Sequence, residues 1–444
     1  MPTLLWFRRD LRCHDHPALL EAAREGGEVL ACYVLDPRLE ASAGARRLQY
    51  LYRALRNLSD NLDGELLVTR GRPEQRIPAL ARAISATSVH ASQDHSPFGR
   101  RRDEAVGAAL GEIALCATGS GYLVSPGRII KSDGAPYRVF TPFFRAWRRH
   151  GWRAPADSGP ASARWIVPAD ISGDISERVE IPSVTGQLIF EAGEDAARSQ
   201  WREFVAANLA DYRARRDRPG LDATSRMSAH LKFGTIHPRT MAVDLHSGDD
   251  AYLRELAFRD FYAAVLHHWP DSAWRNWNRD FDAIEVDDDE TAKQAFEAWK
   301  DGRTGFPIVD AGMRQLASTG FMHNRVRMIV ASFLVKDLHL PWQWGARWFL
   351  DQLIDGDLAN NQHGWQWAAG CGTDAAPYFR VFNPDLQGAK FDPHGDYIRR
   401  WIPELADVAD VHKLGTGRPS SYPEPLVDHA EERQEALRRY RRLG

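Results

Sequence analysis

The sequence predicts an α/β doubly wound parallel sheet in its N-terminal part and an all-α domain in its C-terminal part. Three observations carry this reading. Up to residue 125, short apolar runs without Pro alternate with helical patterns, the signature of strand-helix-strand units. From about residue 190 onward, apolar residues recur only at helical spacing. Between the two lies a stretch rich in Pro, Gly, Ser and Asp. The expected division is therefore residues 1–125, a connector at 126–190, and a helical domain at 191–444.

Taken in order, strands are expected at 3–7, 28–34, 65–69, 88–91 and 113–117. Each is short and apolar, as in a sheet covered on both faces. Helices are expected between them at 17–24, 45–62, 74–84 and 100–110. No G-x-G-x-x-G and no G-x-x-x-x-G-K occurs, which disfavours a dinucleotide fingerprint or a P-loop. Pro155, Pro160, Pro168 and Pro182 mark residues 151–186 as an irregular link. Helical periodicity then covers 196–209, 252–267, 289–300, 307–318, 326–338, 342–353 and 429–443. No internal repeat is visible.

Composition narrows the function classes. The chain has 444 residues, 43% hydrophobic and 26% charged, as in soluble globular proteins. No apolar run approaches the ~20 residues that span a membrane, and the start MPTLLWFRRD brings charges too early for a signal peptide. Cys13, Cys32, Cys116 and Cys371 form no C-x-x-C, which argues against a zinc site or a disulfide framework and fits a cytoplasmic setting. The net charge of -3 does not mark a nucleic-acid binder. Fifty of the 57 basic residues are Arg, a residue suited to phosphate, although codon bias is the ordinary explanation. Fourteen of the fifteen Trp residues lie after residue 140, so the aromatic burden belongs to the later part.

The most informative stretch is 355–383, DGDLANNQHGWQWAAGCGTDAAPYFRVFN. It places Asp355, Asp357, Asn360, Asn361, Trp365 and Trp367 within thirteen residues. Carboxylates and amides are seldom buried without partners, and Gly364, Gly370 and Gly372 allow close backbone approach. The mixture suits a polar-aromatic pocket for a large planar ligand. Three other runs stand out: ATSRMS at 223–228, YLRELAFRDFY at 252–262 and MHNRVRM at 322–328. By themselves they read as a helix N-cap, a helix with an i,i+4 Glu-Arg pair, and a helix with a charged face.

Together these runs closely resemble the photolyase/cryptochrome family, and most of all its class I enzymes that repair cyclobutane pyrimidine dimers in DNA. The resemblance extends from WFRRDLR near the start to RRWIPEL near the end. It implies a two-domain flavoprotein with FAD in the helical domain. Thr224, Ser225, Arg226, Met227 and Ser228 match the residues that hold the FAD pyrophosphate, with Tyr212 upstream and Met in place of the family's Leu. In the 252–262 run, Tyr252 replaces a common Trp, Glu255 matches the residue that hydrogen-bonds the dimer, and Arg259 lies near flavin and substrate. Phe258 stands where the family has a Trp packing against the dimer. In MHNRVRM, Asn324 would touch the cofactor, Arg325 would face the lesion, Arg327 would pair with Asp355, and Met328 favours dimer repair over six-four repair.

In the 355–383 run, the resemblance places Asn361 beside flavin N5, where an amide tunes the cofactor. Asp355 and Asp357 would contact the flavin edge. Trp367 would stack on the flipped-out dimer. Trp365 would start an electron-transfer chain with Trp342 next. The family's third Trp falls near Asp289 or Val286, so the usual exit is missing. Arg380 and Lys390 would bind the DNA backbone, with Arg399 and Arg400 divided evenly between that role and a solvated face. The run SPFGRRRD at 96–103 resembles the deazaflavin-binding members, so an 8-hydroxy-deazaflavin antenna is expected rather than folate. Asp36, Arg47, Asp94 and Asp103 would line its pocket. The expected partner is DNA containing pyrimidine dimers, with no membrane and no second copy of the chain. A cryptochrome-type blue-light receptor is the alternative. Such receptors often carry a further tail, and this chain ends at Gly444 directly after a helical segment.

Overall fold

A sheet of five parallel strands opens the fold: β1 (Pro2–Phe7), β2 (Glu28–Leu35), β3 (Leu66–Arg70), β4 (Ser88–Gln93) and β5 (Ala114–Ser120). In this computed structural model the described residues are 1–171, 178–374 and 380–443. The strand order is β3-β2-β1-β4-β5, and every pairing is parallel. The strands follow the expected ones to within three residues at either end. β1 and β2 are buried almost throughout, so their apolar residues run on without alternation, as in a sheet covered on both faces. The helix Pro17–Gly26 packs on β1, β2, β4 and β5. On the opposing layer Ile77, Leu80 and Ala81 of the helix Pro73–Ala83 join Leu4, Trp6, Leu30 and Val89 in one apolar core.

The chain divides into two units, Met1–Ala210 with Ser225–Pro270, and Asp211–Thr224 with Asp271–Gly444. The connector at 126–190 and the helix Asp250–His268 thus belong with the sheet. The connector is not wholly irregular. Residues Phe140–His150 form a helix that buries Phe140, Phe143, Phe144 and Trp147, and Arg164–Trp165 add a short strand, β6, to the edge of β2. Residues 172–177 of the connector and 375–379 of the polar-aromatic run lie outside the described residues.

The second unit is helical. Its core joins Trp299, Val330, Phe333, Leu334, Ala346, Phe349 and Trp365. The helices Pro307–Thr319 and Asn324–Lys336 cross so closely that a Cβ on Gly312 would collide with Val326 Cγ1. Helices that the sequence did not announce complete it, above all Leu358–Ala369, Pro384–Phe391 and Asp396–Trp401. No helix among the described residues is long and apolar enough to cross a membrane.

Candidate functional site

The sheet-bearing unit holds Ser225, Arg226, Met227, Ser228, Tyr252, Glu255, Phe258 and Arg259. The boundary between the units falls between Thr224 and Ser225, so Thr224 and Tyr212 belong to the other. Ser228 opens a short helix, Ser228–Phe233, whose N-cap is Met227 and which has no side-chain cap. The expected Ser/Thr cap is therefore absent, and Arg226 takes a left-handed φ of 52° just before it. Ser225 Oγ lies 2.8 Å from the Tyr252 hydroxyl, and Gln200 Nε2 donates to the Ser225 carbonyl at 2.7 Å. Tyr252 is itself set by Trp201 and Phe204, with ring centroids 5.1 and 5.3 Å away. A Tyr at this place thus exchanges the family's indole for a hydroxyl that reaches Ser225.

Two residues of the same helix have firm partners that the sequence did not show. Arg259 donates to the carbonyls of Gly121 (2.5 Å) and Leu231 (3.0 Å), and its guanidinium lies 4.5 Å from the Tyr122 ring centre. Phe258 stacks on Phe140, centroids 3.5 Å apart, and is half-buried. Its partner sits in the helix that sequence periodicity did not reveal.

In the helical unit the expected pair is present. Arg327 donates to Asp355 Oδ2 at 2.8 Å and to the Met322 carbonyl at 2.8 Å. Asp355 is buried, and its other oxygen, Oδ1, has no partner. A buried carboxylate oxygen left this way costs free energy unless a donor meets it. Asn361 Nδ2 donates to Ala346 O (2.9 Å) and to Gln362 Oε1 (2.7 Å), so its amide presents Oδ1 as the acceptor. Asp357 caps the helix Leu358–Ala369, accepting from the Asn360 backbone and side chain at 3.1 and 2.9 Å. Helix capping therefore explains one of the two carboxylates, and ion pairing the other.

The first Arg of MHNRVRM is placed differently. Arg325 donates to Asp217 Oδ1 at 2.9 Å and lies 4.3 Å from the Phe391 ring centre. Lys390 lies 5.1 Å from the centre of the same ring, so the two cations share one aromatic partner. Asn324, Arg380 and Lys390 are exposed, and Met328 and Trp367 are half-buried. Arg399 does not join an open basic rim, because it donates to the carbonyls of His394, Val408 and Ala409. His323 caps its helix by accepting from Arg325 N at 3.2 Å. Burial draws the His323 imidazole down to about 4, so it is neutral at pH 7 and keeps that acceptor.

The ring contacts of the indoles bring in Trp299 beside the expected Trp365 and Trp342. Trp365 is buried, and its ring neighbours are Phe349 at 5.0 Å and Trp299 at 6.1 Å. It can lie there because residue 345 is Gly: a Cβ would run into the Trp365 ring. Trp299 stacks on Phe296 at 5.8 Å, and Phe296 meets Trp344 at 5.3 Å. Trp342 instead hydrogen-bonds Asn276 Oδ1 at 2.9 Å. Sequence spacing alone could not have selected Trp299.

At the C-terminal ends of β1 and β4 there is a recess with about 380 Å³ of empty space, lined by Arg8, Arg9, Asp94, His95, Tyr122 and Arg259 among others. This is the switch point of the strand order, where open parallel sheets bind ligands. Of the four expected antenna residues, only Asp94 lines it. Asp36 is taken up by Arg38 at 2.6 Å, Arg47 by the Ser42 carbonyl at 2.9 Å, and Asp103 by Arg8 and Arg102 at 2.5 and 2.8 Å. Burial would raise the Asp94 carboxyl, but Arg102, Arg9 and Arg8 hold it well below the usual carboxylate range.

An open parallel sheet in one unit, and in the other a helical core with one buried carboxylate oxygen left for a donor, make a two-part protein of the α/β-plus-α class. Comparison with known proteins fixes the family. Residues 3–161 match the DNA photolyase family model, and residues 252–442 match the FAD binding domain of DNA photolyase. A deoxyribodipyrimidine photo-lyase of Agrobacterium fabrum is 38% identical over 99% of this chain and 97% of its own length. One from Thermus thermophilus is 40% identical over 100% and 98%. Among solved structures, a class III photolyase from Agrobacterium tumefaciens has a TM-score of 0.89 at 36% identity, covering 100% of this chain and 97% of that one. A Sulfolobus tokodaii photolyase with two FAD molecules gives 0.88 at 32%, covering 100% of each. A Synechocystis cryptochrome gives 0.88 at 29%, covering 99% of each. The chain belongs to the DNA photolyase family and is an enzyme of the deoxyribodipyrimidine photo-lyase type, with an FAD-binding domain. The donor set fits that cofactor: Asp355 Oδ1 is a buried acceptor without a partner, and Asn361, with Nδ2 already engaged, offers its Oδ1 as an acceptor, while FAD carries N–H and O–H donors.

Proposed function

We propose that this chain repairs cyclobutane pyrimidine dimers in DNA with light. The observation that carries the reading is the Arg327–Asp355 pair, close in sequence to the Asn361 acceptor, in a chain whose relatives are deoxyribodipyrimidine photo-lyases. Tyr212, Thr224, Ser225, Arg226, Met227, Ser228, Tyr252, Arg259, Asn324, Arg327, Asp355, Asp357 and Asn361 would hold FAD. Bound, reduced and photoexcited, FAD supplies one electron to the dimer and takes it back. The protein's own part is to bind, flip and hold the lesion. A flipped base leaves the stack and is read by polar and aromatic contacts, which Trp367, Phe258, Glu255 and Arg325 would supply. Glu255 and Arg325 then stand where charge develops, and preorganised groups at such places lower the barrier. Met328 would pack beside them.

These roles can be tested one residue at a time. Glu255→Ala is expected to keep FAD but to repair fewer dimers per absorbed photon. Purified variant that lacks FAD would show Glu255 to be a cofactor residue instead. Arg380, exposed and with its carbonyl engaged by Lys336, is proposed with Lys390 to contact phosphate. Arg380→Ala should flatten the salt dependence of damaged-DNA binding by about one in slope. An unchanged slope would rule out a phosphate contact there.

For the antenna we favour 8-hydroxy-deazaflavin over folate, in or beside the recess at the β1–β4 switch point. Its arginines suit a polar, anionic ring system. Reconstitution with a deazaflavin should give energy transfer to FAD. Stoichiometric folate uptake without deazaflavin uptake would reverse the assignment. A light-receptor role is the second reading, favoured by the likeness to the Synechocystis cryptochrome. The two part company on whether a bound dimer is split.

A further inference from the structure

At the opposite end of the sheet from the recess lies a side-chain cluster that dimer repair does not use. β4 and β5 are parallel, and their register sets His90 beside Cys116. Paired residues on neighbouring strands project to the same face, so both side chains share one face. Ser88, two residues before His90, projects to it as well. The helix Pro17–Gly26 packs against both strands, and its last turn supplies Glu25. Three elements thus deliver a carboxylate, an imidazole, a thiol and a hydroxyl to one spot beside β5, an edge strand.

The atoms converge closely. Ser88 Oγ donates to Glu25 Oε2 at 2.9 Å and lies 2.8 Å from His90 Nε2. Glu25 Oε2 and His90 Nε2 are 3.2 Å apart. The ligand atoms of Glu25, His90 and Cys116 all lie within 4.8 Å of one another. His90 is fully buried, Cys116 is half-buried, and Glu25 is exposed, which leaves an entry path. Cys116 is a free thiol. Hydrogen bonds among Ser88, Glu25 and His90 account for those three residues, but not for a thiol brought to the same point.

We propose that Glu25, His90 and Cys116 form a binding site for a divalent zinc-class metal ion, with Ser88 or water at the fourth position. Sulfur, nitrogen and carboxylate oxygen in a three-plus-one set are the donors zinc takes in tetrahedral sites. The lack of C-x-x-C speaks against a cysteine-only site, not against a mixed set assembled from a helix and two strands. The ion would tie the C-terminal turn of the helix to the edge of the sheet. A metal that binds only the folded chain stabilises it by mass action.

The test uses the FAD-loaded enzyme. Zinc is titrated into wild type, Cys116→Ser and Glu25→Gln, with FAD content as the check of folding. Wild type should bind one zinc per chain and unfold at a higher temperature with zinc than without. Each variant should bind at least about tenfold more weakly, the loss seen when even a supporting group of a metal ligand is removed. Cobalt in place of zinc should give a thiolate-to-cobalt charge-transfer band in the difference spectrum of wild type, absent from Cys116→Ser. Glu25 is exposed, so Glu25→Gln keeps the test decisive if Cys116→Ser folds poorly. No zinc uptake by wild type, or equal uptake by all three proteins, overturns the proposal.

Discussion

Asp355→Ala is expected to lose most of its FAD and to unfold more readily. The argument starts from one ion pair. Arg327 Nη2 meets Asp355 Oδ2 at 2.8 Å, with side-chain exposures of 25% and 4%. Removing the carboxylate leaves the guanidinium partly buried, with the Met322 carbonyl and the Phe321 ring for company but no counter-charge. Breaking a buried pair in this way costs about 3–5 kcal/mol, and the lower end applies because Arg327 keeps some solvent. The unpaired oxygen Asp355 Oδ1 adds the second consequence, since the cofactor would lose an acceptor that the protein itself leaves unspent. Asp355→Asn keeps the shape but not the charge and should fall between wild type and Asp355→Ala. The flavin-to-protein absorbance ratio and a thermal melt read both effects. Full FAD content with an unchanged melt in Asp355→Ala would remove Asp355 from the cofactor site.

Trp299→Phe is expected to suppress light-driven reduction of oxidised FAD more strongly than Trp342→Phe. The family resemblance gives the second step to Trp342 and leaves the chain without an exit. The ring contacts offer a further route. Trp365 touches Trp299, Trp299 stacks on Phe296, and Phe296 meets half-buried Trp344. Electron tunnelling weakens exponentially with distance, and Trp299, its ring centre 6.1 Å from that of Trp365, is a close acceptor for a hole on Trp365. From Trp299 a route to Trp344 near the surface is open, with only Phe296 between. Photoreduction with an external donor should therefore be efficient in wild type, slow in Trp299→Phe and absent in Trp365→Phe. Unimpaired photoreduction in Trp299→Phe, with loss in Trp342→Phe, would restore the order read from the sequence. Repair by FAD that is already reduced should survive in Trp299→Phe and Trp342→Phe.

What was legible follows the physics of each element. Long amphipathic helices announced themselves: the expected 307–318 and 342–353 are Pro307–Thr319 and Trp342–Gln352. The helix Phe140–His150 did not, because Pro142 reads as a breaker and the buried face is aromatic. In the first turn, however, Pro costs a helix little. The helix Leu358–Ala369 was hidden for another reason. Its inward face includes Gln362, His363 and Gln366, so polar residues mask the apolar stripe. Those side chains are buried because they are bonded: Gln362 and Gln366 donate to the carbonyls of Ala273 and Ser272. A two-residue strand such as β6 has no periodicity to read.

The site divides along the same line. The Arg327–Asp355 pair could be read, because the family resemblance assigns both runs to one site and so brings their opposite charges together. The partners of Arg259, Phe258 and Arg325 could not, since Gly121, Phe140 and Asp217 come from distant segments without a charge or motif that selects them. The partners of the antenna set were not legible either. Asp36, Arg47 and Asp103 have local partners that occupy them, and the recess is lined by the residues that follow β1 and β4.

The central claim is that light drives this chain to split pyrimidine dimers in DNA. Its most direct measurement is illumination of the FAD-loaded, reduced protein with an oligonucleotide carrying one thymine dimer, followed by chromatography of the strands. The expected result is conversion of the dimer to two thymines in blue or near-ultraviolet light, many turnovers per protein, and none in the dark. Dimers that persist under illumination, while the flavin is bound and responds to light, would contradict it.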